Sequence, residues 1–307
     1  MRVFVAGGTG VIGRRVVESL VREGHEVTAL ARTDDTEQTL RTLGARPDRS
    51  DLFDQAALER AVRGHDVVVN LATAIPPASE AMSEQAWARN HRVRREGAAN
   101  LSEAALRGGV RRFVQESIAL LYADGGDEWL DEEAPVSTTW VTESSLDAES
   151  AALAFGKSDR EAVVLRFATF HAPDSAHTVD TIGAARQGVA ACLGPLSSFL
   201  STIHADDAAS AVVAALSVQS GVYNVADDEP LRRADYFAAL ERAVGENRLS
   251  FPEDLDHGLE GTMLEMVLRS QRVSNRKLRE HSTWRPEHPT ASETWRAIIT
   301  ESALLPA

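Results

Sequence analysis

The feature that most constrains this chain is the run Gly7-Gly8-Thr9-Gly10-Val11-Ile12-Gly13, set between a wholly apolar stretch, Val3 to Ala6, and a segment in which Val16, Val17, Leu20 and Val21 recur at helical spacing. A short apolar run reads as a buried strand, and the periodic segment reads as an amphipathic helix that Gly24 stops before a second strand, Val27 to Ala31. The glycines therefore occupy a strand-to-helix turn of a βαβ unit. They fit both GxGxxG, at Gly8, Gly10 and Gly13, and GxxGxxG, at Gly7, Gly10 and Gly13. Either spacing permits a tight turn, lets a pyrophosphate approach the backbone and lets the helix pack closely on the strand. The helix N-terminus then faces the anion. The residues expected to touch a dinucleotide here are Gly7, Thr9, Gly10, Val11, Ile12 and Gly13.

The rest of the chain extends the same pattern. Further strands are expected at about 45–47, 66–72, 111–115 and 163–167, with helices at 55–62, 84–106 and 145–155. Such alternation makes a doubly wound α/β fold of the Rossmann type with a parallel sheet. Past Phe167 the alternation weakens: 172–198 reads as a loop carrying a helix, 199–226 returns to strand, helix and strand, and 227–307 holds helices around Tyr236 and Trp295. The division expected is a dinucleotide-binding domain over 1–171 with 199–226 returning to it, and a smaller substrate lobe from 172–198 and 227–307, interleaved with the first.

Composition removes several alternatives. With 46 acidic against 32 basic residues the formal charge is −14, which repels phosphate backbones, so no nucleic-acid partner is expected. No apolar run approaches the roughly 18 residues that span a bilayer, so no membrane association is expected. The single cysteine, Cys192, allows no intrachain disulfide, and a cytoplasmic location is expected.

At the end of the second strand, about 20 residues beyond the glycines, NAD sites place an acid on the ribose hydroxyls. This chain has Arg32 there, followed by Thr33. A guanidinium suits a 2′-phosphate, so NADP is the expected cofactor, with NAD kept open by Asp34 and Asp35. Arg14 and Arg15 stand in the first helical turn, where cations are disfavoured; either they point to solvent or one neighbours a cofactor phosphate.

From Gly7–Gly13 onward the chain resembles the extended short-chain dehydrogenase/reductase family of NAD(P)-dependent epimerases, dehydratases and reductases, nearly end to end. Asp51-Leu52 resembles its adenine-contacting pair, and Asp66 to Ala72 its fourth strand, whose end passes the cofactor ribose. Asn90, Gly97 and Asn100-Leu101 resemble the next helix, with stretched spacing; Val163 to Arg166, Ile203 to Ala208 and Gly221 to Val225 resemble later landmarks. The resemblance implies a seven-stranded parallel Rossmann sheet, a C-terminal lobe over a substrate cleft, and cofactor contacts at Asp51, Leu52, Leu71, Ala72 and Thr73. It also places a possible homodimer face on the helices 84–106 and 145–155. Asn70, Asn90, His204 and Asp207 are expected to be hydrogen-bonded framework, and Trp284 to Pro286 core and turn.

The resemblance breaks at the chemistry. The family relies on Tyr-x-x-x-Lys, in which the ammonium lowers the phenol pKa one helical turn away. The three tyrosines here, Tyr122, Tyr223 and Tyr236, are followed four positions later by Gly126, Asp227 and Leu240. Aligning Glu149 with the acid after the pair puts Val141 at the tyrosine place and Ser145 at the lysine place. After the fifth strand, an ungapped match puts Ile118 at the family's serine/threonine place, with Ser117 one before it, facing either the cofactor or the sheet. Ser117 and Tyr122 are the candidate catalytic residues; Glu116, Glu143, His171 and His177 are candidates to line the opening. No metal-ligand spacing, P-loop lysine or nucleophile elbow is present. The leading expectation is an NADP-dependent reductase of a small carbonyl substrate. Two rivals stand beside it: a non-redox dehydratase, cyclase or isomerase, and a non-catalytic NADP(H) sensor.

Overall fold

The computed structural model describes residues 1–157, 159–245, 248–252 and 259–302. The first half runs β1 (Arg2–Ala6), α1 (Val11–Arg22), β2 (Glu26–Leu30), α2 (Asp34–Thr42), β3 (Arg46–Asp48), α3 (Gln55–Val62), β4 (Val67–Asn70), α4 (Glu84–Arg92), α5 (Ala98–Arg107) and β5 (Arg112–Ile118). Next come β6 (Trp129–Leu130), α6 (Glu143–Phe155), β7 (Glu161–Phe167), β8 (Thr169–His171), α7 (Ala176–Arg186), β9 (Phe199–Leu200), β10 (Thr202–His204), α8 (Ala205–Ala214) and β11 (Gly221–Val225). The chain ends in β12 (Leu231–Arg232), α9 (Arg233–Val244), α10 (Gly261–Leu268), β13 (Arg272–Val273), α11 (Arg276–His281) and α12 (Ala291–Ser302).

Seven strands form one parallel sheet in the order β11-β7-β5-β4-β1-β2-β3. The order reverses between β1 and β4, and ligands of such sheets lie outside the carboxyl ends at that switch point. The register keeps those ends level, with Ala6 opposite Asn70 and Asn70 opposite Gln115. Alternation along β1 explains why both faces are apolar: Val3 and Val5 enter a core with Val16, Val17 and Leu20 of α1 and Ala208 and Val212 of α8. Phe4 and Ala6 enter the opposite core with Leu58 of α3, Leu101 of α5 and Ala152 of α6. A third cluster joins α7, α9 and α12 around the fully buried Trp295, with Tyr236, Phe237 and Ile182.

Several elements differ from the sequence reading. The helix expected over 84–106 is interrupted by a π-turn, Val93–Gly97. The strand expected to end at Gln115 continues to Ile118. Helix α2 carries little periodicity because Leu40 is its one buried residue; a capping box between Thr33 and Thr36 holds its start. The strand expected at the start of 199–226 is split at Ser201, whose hydroxyl donates to the Gln271 carbonyl and accepts from the Val273 amide. Trp284 is core, as expected. Among the described residues, no helix is long and apolar enough to cross a membrane.

Candidate cofactor site and the strand ends beside it

The glycine turn is closed on itself so tightly that side chains are excluded. Gly7 has φ +81°, and its carbonyl accepts from the Gly10 amide at 3.1 Å. A Cβ on Gly7 would meet the Leu71 backbone at 2.5 Å, and one on Gly13 would lie 2.0 Å from the Gly7 oxygen. These two glycines serve the fold of the turn. A Cβ on Gly10, in contrast, would meet nothing nearer than the Gly7 oxygen at 3.4 Å. Gly10 is also the N-cap of α1 and supplies no side-chain acceptor, so the first-turn amides at Val11 and Ile12 have no side-chain partner. Open space above Gly10 and uncapped amides behind it fit a pyrophosphate.

Past the end of β4, Leu71 is buried and donates its amide to Ala6, while the Ala72 amide donates to Asn70 Oδ1 at 3.2 Å; Ala72 and Thr73 are half-buried. Asn70 Nδ2 in turn donates to Gln115. Leu52 packs so closely on Gly97 that a Cβ there would lie 2.5 Å from it, which explains the glycine. Asp51 is exposed and accepts the Phe53 amide.

Arg32 is exposed at the end of β2, and Thr33 is spent on capping α2. Beside them stands a residue that the sequence reading missed: Arg49, whose Nη1 donates to the Arg32 carbonyl at 3.4 Å while its guanidinium pairs with Asp34 and Glu37. Its only sequence signal was its place just after β3. Arg14 pairs with Asp174, and Arg15 with Asp174 at 3.0 Å and Asp206 at 2.6 Å. These acids offset the cost of cations in the first turn.

At the far end of β5 the side chains form a closed polar network. Ser117 is fully buried and donates to Glu149 Oε1 at 2.6 Å, so it faces α6. Arg166 grips Glu149 with Nε at 2.9 Å and Nη2 at 2.8 Å, and donates from Nη1 to the Tyr122 oxygen at 3.1 Å. The Tyr122 hydroxyl donates to Asn224 Oδ1 at 2.7 Å, and burial pushes its pKa up to about 12. Tyr122 has no exposed surface, and its phenol serves the network.

The residues expected to line the opening separate. Glu143 and His177 are exposed. Glu116 is enclosed, with burial raising its pKa, and Arg94 donates to its Oε1 at 2.5 Å; Arg94 also donates to Ser145. His171 is enclosed against Tyr236, whose hydroxyl lies 2.9 Å from Nε2, and burial drives its pKa down to about 3. His204, Asp207 and His288 come together from 81 residues apart. They act as framework: the Asp207 carboxylate accepts the Glu287 amide at 2.6 Å, and the His288 amide and Nδ1 at 3.0 Å each. His204 Nδ1 accepts the Asp206 amide.

Known proteins share this fold. The NAD dependent epimerase/dehydratase family matches residues 3–226. A 3-diazoavenalumate denitrifying reductase of Streptomyces sp is 34% identical over 96% of this chain and 98% of its own length. Among solved structures, human epimerase family protein SDR39U1 with NADPH superposes with a TM-score of 0.83 at 21% identity, covering 98% of this chain and 99% of that one. Thermus thermophilus UDP-glucose 4-epimerase with NAD gives 0.78 at 23% identity, covering 99% of each.

Proposed function

Because the chain belongs to the NAD dependent epimerase/dehydratase family, we propose that it is an NADP(H)-dependent reductase whose substrate accepts hydride without a proton from a tyrosine–lysine pair. The observation that carries this reading is the enclosure of Tyr122 and Ser117 in the Glu149–Arg166–Asn224 network, beside a glycine turn left open for a dinucleotide. Gly10, Val11, Ile12 and the uncapped start of α1 would hold the pyrophosphate, and Arg32 with Arg49 the 2′-phosphate. When bound, the reduced dinucleotide supplies hydride.

The substrate class follows from proton accounting. Reduction of a carbonyl consumes one hydride and one proton, and among the residues proposed from sequence neither hydroxyl is accessible to give the proton. Replacement of a diazonium group by hydrogen consumes one hydride and no proton: a C–H bond forms, the C–N bond breaks, and the bonding pair leaves with dinitrogen. The reductase relative acts on a diazo compound according to its name, so a small aryl carboxylate reacting as its diazonium form is the substrate class proposed here. The chain's part is to bind both partners, hold them in contact and keep water out.

The test is single-turnover transfer from deuterated NADPH to aryl diazonium carboxylates and, in parallel, to small ketones. Deuterium on the carbon that lost nitrogen, with dinitrogen released in equal amount, supports the reading. Transfer to ketones alone returns the substrate to the carbonyl class, and binding without transfer to either leaves the sensor.

A further inference from the structure

Where β10 runs into α8, three side chains from two distant parts of the chain converge: His204, Asp207 and, from the segment before α12, His288. One nitrogen of each imidazole and one carboxylate oxygen lie within 4.8 Å of one another. His204 has no exposed surface, Asp207 is 2% exposed and His288 is half-buried. The hydrogen bonds that make this trio framework also hold it as a set of ligands. The Glu287 and His288 amides fix the Asp207 carboxylate at 2.6 and 3.0 Å, and His288 Nδ1 lies 3.0 Å from its Oδ2. His204 Nδ1 accepts the Asp206 amide, whereas its enclosed Nε2 has no hydrogen-bond partner among the described residues. A buried nitrogen is rarely left unmatched.

The trio is reached from outside. Asp207 also lines an open groove of about 660 Å³ along α1 and α8, whose walls carry five carboxylates, of Glu18, Glu23, Asp206, Asp207 and Glu287, against three arginines. A groove of that sign concentrates cations. Two imidazoles and a carboxylate are a donor set of zinc and its neighbours, whereas magnesium and calcium take oxygen ligands. The spacing suits a small ion. Two atoms bound to one tetrahedral zinc at about 2 Å stand roughly 3.3 Å apart, close to the 3.0 Å between Asp207 Oδ2 and His288 Nδ1. The ion would replace the proton held between those two atoms, which moves to Nε2 of the same ring. At His204 the Nε2 proton moves to Nδ1, and Asp206 Oδ2 stands 3.8 Å away to accept it. Ligating histidines commonly donate their second nitrogen to a carboxylate in this way.

We propose that His204, Asp207 and His288 form a binding site for one divalent ion of the zinc class, with a fourth coordination place open to water from the groove. Linear spacing hides the set, because the third ligand lies 81 residues beyond Asp207. The ion would tie the start of α8 to the segment leading into α12. None of its ligands belongs to the proposed cofactor site, so neither reading depends on the other.

The test uses the full chain, freed of any purification tag and stripped of metal by a chelator, then titrated with zinc chloride by calorimetry. One zinc bound at micromolar or tighter affinity is expected, with no magnesium bound at the same concentrations. His288→Gln keeps a donor for Asp207 and removes the ligand nitrogen, so it should weaken zinc at least about thirtyfold. Zinc affinity unchanged in His288→Gln would assign the metal to other histidines and overturn the site. So would a parent that binds no zinc, or that binds magnesium equally well. If the variant does not fold, cobalt in the parent decides: the intense visible absorption of four-coordinate cobalt, with two imidazoles counted by X-ray absorption, is expected. Six-coordinate cobalt surrounded by water oxygens overturns the site.

Discussion

The two ends of the candidate site are built by different means. At the glycine end, specificity lies in the backbone: Gly7 and Gly13 close a turn of seven residues, and the close partners are near in sequence or just past the end of the adjacent strand β4. At the β5 end it lies in side chains brought from far apart: Tyr122 meets Asn224, Ser117 meets Glu149, and Arg94 meets Glu116. A local turn keeps its ligand chemistry while the rest of the site changes. The long-range network here is built without Tyr-x-x-x-Lys.

The contrast is tested most severely at Arg166. Its side chain and Glu149 are both enclosed, so Arg166→Met leaves an unpaired buried carboxylate and should cost about 3–5 kcal/mol of stability. Adding Glu149→Leu should return most of that loss, because removing both charges avoids the desolvation cost. Urea midpoints of the parent, single and double variants measure this. A single variant as stable as the parent would show that the network does not hold this end together.

Gly13→Ala probes the other end. The new Cβ would sit 2.0 Å from the Gly7 oxygen, so the turn must open. The expected cost is about 2–3 kcal/mol, with NADPH affinity falling at least a hundredfold. The two variants should thus separate: Arg166→Met unfolds more easily yet binds cofactor when folded, and Gly13→Ala loses cofactor at a temperature where it is still folded. If both lose cofactor in proportion to stability, the two ends are one unit and the contrast fails.

Tyr122→Phe carries a smaller effect. It strands Asn224 Oδ1 and one Arg166 donor, which should cost about 1–2 kcal/mol. Turnover per folded molecule should fall less than tenfold, because an enclosed phenol gives no proton to substrate. Burial raises the Tyr122 pKa from 10 to about 12, so the neutral phenol is favoured in the fold. Its contribution to stability is then complete below pH 10 and lost as pH rises through 12. The rate should show no tyrosine ionisation between pH 7 and 10. A thousandfold loss of turnover in the variant would make Tyr122 the acid after all.

These differences also explain what could be read in advance. The turn, its strand and its helix were legible because strand period, helix period and glycine spacing are all local signals. So were the βαβ order and most strand positions. The facing of Ser117 was not, since it depends on how far β5 runs, and the strand continues to Ile118. The partner of Arg94 lies 22 residues away and that of Tyr122 lies 102 residues away, distances at which sequence alone gives no pairing. The acids that pair with Arg14 and Arg15 are hidden for the same reason: Asp174 and Asp206 reach them from 159 to 191 residues away.

The smallest expected effect concerns the glycine end's outer rim. Arg32 is exposed, and Arg49 beside it is engaged with Asp34 and Glu37 rather than with a ligand. Exposed ion pairs of that kind are worth little, so a phosphate dianion can draw Arg49 away from its acids at small cost. A charge-assisted contact to phosphate at such a rim, discounted for solvent, supports a preference of roughly tenfold for NADPH over NADH, about 1.4 kcal/mol. Arg32→Asp should erase that preference, and Arg49→Met should reduce it while leaving NADH binding alone. Because the contact is exposed, raising the salt from 0.05 to about 0.5 M should shrink the parent's preference as well. Fluorescence titration of both reduced cofactors at the two salt concentrations reads all of this. Equal affinities in the parent would assign the cofactor to NAD and leave Arg32 as a solvated surface residue. A preference that survives Arg32→Asp would move recognition of the 2′-phosphate to Arg49.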